Sequence, residues 1–287
     1  MKDDVQIFAV LPAGPVRLTL PRPLASIHDL PDDLPFGIYT ALRTFDHDKF
    51  LFLEAHLDRM QQSLDLLEWD YALNRSRLRQ ALAQVCAGYP RADARVRIDV
   101  LEAPAKHWPE APRLLLTLAP FEPVPARHYR DGVRVGLARR LQRVQPLAKR
   151  ADFVLARRDY PLGRPEAYDY LLLDADERIL EGSSSNFYAV RDGILWTAGD
   201  GILEGITRKI VLQELVATLS IPVRLEPPPL SQIDTFAESF LSSSSRGLIP
   251  VVNIAGMPVG DGRPGSLTRR LIDAYQHFVA AAIRPAV

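Results

Sequence analysis

Between Gly37 and Trp69 the hydrophobic period of the chain changes once, from two residues to about 3.6, and no other stretch limits the fold so tightly. GIYTALRTF at 37–45 and FLFL at 50–53 are apolar runs around the polar turn Asp46-His47-Asp48-Lys49, which reads as a hairpin. Directly after it, EAHLDRMQQSLDLLEW at 54–69 places Leu57, Met60, Leu64 and Leu67 at helical spacing. A second helix is expected over Arg75–Cys86. Arg95–Leu101 alternates like a strand, with Arg113–Leu118 as its partner. This first block is therefore α+β in character.

FEPVPARHYR at 121–130 carries two prolines and little periodicity. It divides the chain into a small N-terminal domain over 1–121, a linker over 122–132 and a larger domain over 133–287. Beyond the linker the pattern predicts a strand at Val133–Ala138, a helix from about Ala148 to Tyr160, and strands at Tyr168–Asp174 and Asn186–Val190. Asp192-Gly193 between two apolar runs is a two-residue hairpin turn. Gly205 opens the helix ITRKIVLQELVATL. After three prolines at 227–229, Phe240–Ser245 leads into a strand at Leu248–Val252, and a last helix runs from about Leu267 to Ile283.

Composition removes several classes of function. The chain has 287 residues, enough for one large domain or two modest ones. With 35 basic and 35 acidic residues it has no net charge, so a general nucleic-acid binder is not expected. Cys86 is the one cysteine, which excludes an intrachain disulfide and a multi-cysteine metal site, and suits a reducing compartment. The start MKDDVQIFAVLPAGP does not read as a secretion signal, and no apolar run approaches the ~20 residues of a membrane helix. These features predict a cytoplasmic protein with no membrane partner. Only five of the basic residues are lysines: Lys2, Lys49, Lys106, Lys149 and Lys209.

Three small polar segments lie between apolar strands or at a helix start. Gly205-Ile206-Thr207-Arg208 offers unpaired backbone N–H groups to an anion, or is plain capping. Phe240-Leu-Ser-Ser-Ser-Ser-Arg246 offers hydroxyls and amides to a phosphate, or is a solvated turn. Glu181-Gly-Ser-Ser-Ser-Asn186 sets a carboxylate beside a turn that another molecule can approach closely, or is a surface turn.

In this order, LLLDADERILEGSSSNFYAVRDGILWT, ILEGITRKIVLQEL and FLSSSSRGLIPV resemble the class IV (fold type IV) pyridoxal-phosphate (PLP) aminotransferases. GIYTALRTF and EAHLDRMQQS fall in the same order, so the resemblance covers about 37–270. It implies a smaller α/β N-terminal domain, a larger pseudo-barrel C-terminal domain, PLP in the cleft between them, and a homodimer. It implies that Lys149 carries PLP. It places Glu181 at the pyridine nitrogen, Arg59 on the phosphate, and Ile206, Thr207, Ser243 and Ser244 as further phosphate contacts. Leu203 would pack on the ring face. No metal is implied.

The same resemblance puts Tyr39 in the substrate pocket and Arg97 where L-branched-chain enzymes often have a pocket arginine. In the loop PAKHWPE, Lys106 and His107 stand where D-amino-acid enzymes carry an Arg-x-His carboxylate trap. Two departures bear on substrate: Phe153 replaces a tyrosine that bonds the ring hydroxyl, and Thr40 replaces a glutamate. The expected reaction moves an amino group from an amino acid, branched-chain L-amino acids favoured, to a 2-oxo acid. A D-amino-acid or amine transaminase and aminodeoxychorismate lyase are the alternatives.

Overall fold

Strand pairing sorts the chain into two sheets in a computed structural model that describes residues 5–20, 22–29, 31 and 34–287. Lys2 lies outside the described residues. By compactness the chain forms two units: Met1–Glu122 with Ala148–Val154 and Ala281–Val287, and Pro123–Leu147 with Leu155–Ala280. The sequence reading expected a contiguous division with a linker at 122–132. That range holds a short helix, Ala126–Asp131.

The first unit contains β1 (Gln6–Leu11), β2 (Gly14–Arg17), β3 (Gly37–Phe45), β4 (Lys49–Leu51), helices α1 (Leu53–Leu66) and α2 (Arg75–Ala87), β5 (Ala94–Leu101) and β6 (Leu114–Pro120). Its sheet runs Ile283–Pro285, β4, β3, β5, β6, β1, β2. In the antiparallel β3–β5 pair Tyr39 faces Asp99, Thr40 faces Ile98 and Ala41 faces Arg97. Because side chains alternate across a sheet, each face has its own character. Ile38, Leu42, Val96, Ile98 and Val100 share a core with Leu57, Met60 and Leu64 of α1. Each such buried side chain contributes ~1.5–3 kcal/mol. Tyr39, Arg97 and Asp99 occupy the opposite face.

The second unit is built on β7 (Val133–Leu137), β8 (Tyr170–Leu173), β9 (Ile179–Gly182), β10 (Ser185–Arg191), β11 (Ile194–Trp196), β12 (Val223–Arg224), β13 (Glu238–Ser243) and β14 (Gly247–Ile254). Since β9 pairs with both β8 and β10, the path β10, β13, β14, β7, β8, β9 closes on itself as a six-stranded barrel. Val133, Val135, Leu171, Ile179, Phe187, Leu241, Ile249 and Val251 belong to its core. This is the mixed α and β architecture that the family resemblance implied.

Two helices differ from the periodicity. The helix expected at 148–160 is reduced to Asp152–Ala156, because the residues before it pair with β3 instead. The helix that starts at Ile206 widens into a π turn over Val211–Leu215 before resuming at Val216–Thr218. The hairpin turn between β10 and β11 is as read: Asp192 and Gly193 have φ of 51° and 74°. A Cβ at Gly193 would meet nothing within 4 Å, so only backbone strain opposes a side chain there. Gly193→Ala should therefore cost about 1–2 kcal/mol of stability. An unchanged urea midpoint would show that the turn does not hold the left-handed conformation.

Candidate active site

Lys149 is fixed by backbone before its side chain is considered. The Tyr39 N–H donates to the Lys149 carbonyl (2.9 Å), the Ala151 N–H donates to Gly37 (2.8 Å), and Ile38 bridges Arg150. The Lys149 N–H donates to Ser63 Oγ of α1 (3.3 Å). Gly37 is required here, because a Cβ would lie 2.5 Å from the Val100 carbonyl oxygen. Antiparallel pairing puts Lys149 and Tyr39 on one face, and Lys149 Nζ lies 4.9 Å from the Tyr39 ring centroid.

Helical spacing on α1 buries His56, Arg59, Met60 and Ser63 together. Arg59 Nη2 donates to Thr40 Oγ1 (3.1 Å), and that hydroxyl is 2.7 Å from His56 Nδ1. Burial pushes the His56 imidazolium well below its ordinary range, and the charges of Arg59 and Lys149 add to this. The ring is neutral, and its Nδ1 is hydrogen-bonded to the Thr40 hydroxyl. Thr40, noted in the sequence as a departure, thus anchors Arg59.

Among the substrate-side candidates in this unit, Tyr39 and Arg97 are buried, whereas Lys106 and His107 are exposed on their loop. Arg97 is committed to Asp99: Nε lies 2.9 and 2.8 Å from the two carboxylate oxygens, and Nη2 lies 2.6 Å from Oδ1. Burial pushes the Asp99 carboxyl up, and Arg97 pulls it back. Nothing in the alternation of RVRIDVL distinguished a buried ion pair from a substrate arginine.

In the second unit Glu181 is 2% exposed. Its Oε1 accepts from Arg143 Nε (2.9 Å) and its Oε2 from the Leu203 N–H (3.3 Å). Asn186, the strand partner of Glu181, donates from Nδ2 to the Leu203 carbonyl (2.9 Å). The two ends of the Glu-Gly-Ser-Ser-Ser-Asn motif therefore grip one backbone unit, which fixes Leu203. Asp169 holds the turn between them, accepting from the hydroxyls of Ser183 (2.7 Å), Ser184 (2.7 Å) and Ser185 (2.8 Å). Arg246 ties that turn to the second serine run, donating to the Ser184 carbonyl (2.9 Å) and to Ser243 Oγ (3.0 Å). Arg143, Asn186, Asp169 and Arg246 were not singled out from the sequence, although Asn186 and Arg246 close the two serine motifs.

The helix after Gly205 has no side-chain cap. Among the described residues the N–H groups of Ile206, Thr207 and Arg208 meet no acceptor, nor does the Thr207 hydroxyl. Ser243 and Ser244 are half-buried at the end of β13. Gly205 keeps this helix start close to the clamp, since a Cβ would fall 2.1 Å from Asn186 Oδ1. A buried carboxylate, a helix start with free donors and a registered lysine are the donor set that PLP requires.

The sequence pattern described as "Amino-transferase class IV" matches residues 37–254. A Thermotoga maritima protein named as a probable branched-chain-amino-acid aminotransferase is 29% identical over 250 residues, 85% of this chain and 86% of that one. The D-alanine aminotransferase of Listeria monocytogenes is 30% identical over 261 residues, covering 86% and 87%. The solved structure of the Escherichia coli branched-chain amino acid aminotransferase superposes with a TM-score of 0.76 over all of both chains at 20% identity, a likeness of fold. The pattern matched over most of the chain shows that it belongs to the class IV aminotransferase family.

Proposed function

We propose that this chain is a PLP-dependent transaminase in which Lys149 carries the cofactor, an amino acid gives its amine, and a 2-oxo acid receives it. The backbone registration of Lys149 beside Tyr39 is the observation that carries this reading. Bound PLP would supply an aldehyde that captures amines covalently and a ring that takes up electrons.

The chain's own residues do the rest. Lys149 Nζ holds the cofactor and, once released, moves the proton at the substrate Cα. Glu181 holds the proton at the pyridine nitrogen, and Arg143 keeps the carboxylate from turning away. Arg59, steadied by Thr40, would hold the phosphate with the free donors of Ile206 and Thr207 and the hydroxyls of Ser243 and Ser244. Leu203 would cover a ring face. Tyr39 would line the substrate side.

A branched-chain L-amino acid is the favoured donor, supported by the Thermotoga relative. A D-amino acid is the second reading, because Lys106 and His107 are exposed to meet a carboxylate while the Arg97 fork is taken by Asp99. A homodimer fits the family resemblance and the exposure of Val144 (91%) and Leu147 (48%). A cytoplasmic setting suits the thiol of Cys86, which burial pushes up to about 12. Among the described residues no helix is long and apolar enough to cross a membrane.

Lys149→Ala should lose the visible absorbance of the lysine-bound cofactor; a band that survives, with borohydride trapping PLP on another lysine, would reject the assignment. Single-turnover conversion should be faster with L-leucine than with D-alanine. The opposite order selects the D reading, and pyruvate released from aminodeoxychorismate selects the lyase. Gly205→Ala should weaken PLP binding by about 1–3 kcal/mol, the usual range for overpacking, because its Cβ displaces Asn186 and shifts the helix start. Unchanged affinity on titrating the apo-protein would separate this helix start from the phosphate.

A further inference from the structure

We propose that Arg97 and Asp99 form a positioning pair that fixes the Tyr39 ring beside Lys149, and that Arg97 is not a ligand for the substrate carboxylate. The guanidinium carbon lies 4.2 Å from the Tyr39 ring centroid, and Lys149 Nζ lies 4.9 Å from the same centroid. Arg97 is 1% exposed and Asp99 is fully buried. Strand register explains the group: Tyr39 is the direct partner of Asp99, Arg97 is two residues along β5 on the same face, and Tyr39 is bonded through its N–H to Lys149.

An arginine that binds a carboxylate presents the edge of its fork. Here that edge is spent on Asp99, and the guanidinium carbon lies over the tyrosine ring, a cation–π contact. Among the described residues the remaining nitrogen, Nη1, is buried without a hydrogen-bond partner. What the guanidinium contributes is its plane, and Asp99 makes that plane stationary. The pair also carries almost no net charge, so it supports the ring without altering the charge beside Lys149. Other charged or titratable groups near Lys149 in this unit include Arg59 and neutral His56 on α1, and Arg150, which is paired with Asp152 and also feels Glu102.

This inference rests on Lys149 carrying PLP, and the test separates the two. In the holoenzyme, the pH titration of the visible absorbance reports the charge felt at Lys149. Asp99→Asn leaves the Arg97 cation uncompensated, and the titration midpoint should fall by about 1.5 pH units, the scale of one charge at ~8 Å under an effective dielectric constant of ~20. The double variant Arg97→Met with Asp99→Leu leaves no buried charge and keeps the volume apolar, a replacement that buried ion pairs tolerate. It should titrate like the wild type and hold KM for the amino acid within about twofold, while kcat falls about tenfold or more because Tyr39 loses its support. An unmoved midpoint in Asp99→Asn would overturn the proposal. A tenfold rise in KM with kcat retained in the double variant would overturn it too, and would return Arg97 to the substrate. Failure of the Lys149→Ala absorbance test would instead strike the reading of Lys149 itself.

Discussion

Two backbone hydrogen bonds fix the segment that carries Lys149, the residue proposed to hold the cofactor. A lysine side chain has four rotatable bonds, and it delivers its nitrogen to a fixed point only if its Cα is fixed first. Residues 149–151 obtain that by pairing with Gly37–Tyr39, at the edge where β3 is not occupied by β5 or by the short β4. The helix that local periodicity favours at this place is shortened as a result, since a backbone N–H cannot serve both ladders. Gly37 is the residue that admits the pairing, because β5 approaches it too closely for any side chain. With Lys149 in register, Tyr39 becomes its neighbour, and the Arg97–Asp99 pair lies against the same ring.

The buried charges follow one rule. Each carboxylate in these sites is answered by a guanidinium, by backbone N–H groups or by hydroxyls: Asp99 by Arg97, Glu181 by Arg143 and Leu203, Asp169 by three serines and the Tyr170 N–H. Isolated buried charges cost so much that removing one partner typically costs about 3–5 kcal/mol. Such pairs add little net stability compared with apolar replacements, so their value lies in orientation. Glu181 must point one carboxylate edge, Asp169 must keep a turn of small residues from relaxing, and Arg97 must keep its plane under a ring. The contrast with His56 is instructive. It feels the charges of Arg59 and Lys149 and, buried, stays neutral while hydrogen-bonded to Thr40.

Much of this architecture was readable from residue order. The change of period at 37–69, the Asp192-Gly193 turn and the helix opened by Gly205 are local signals, set by side-chain alternation, positive φ and an uncapped helix start. The matched motifs brought the family with them, and so the reaction class. What periodicity did not carry was pairing between residues far apart in sequence. The return of 148–154 to the first unit, the pairing of β7 with β14 in the barrel, and the clamp of Glu181 and Asn186 on Leu203 all join separated segments. Arg97 shows the limit most clearly. As a letter in RVRIDVL it could be a solvated charge or a pocket ligand, and its partner two residues on looked like the next polar position of an alternating strand.

The sequence by itself determined the kinds of element, the positions of the turns, the short roster of lysines and the family, because these depend on neighbours within a few residues or on motif order. The tertiary structure alone decided which of the polar side chains face one another and which are spent on internal pairs. That choice depends on strand register and burial, and both are fixed only when residues about a hundred positions apart exchange backbone hydrogen bonds, as the segments 37–39 and 149–151 do.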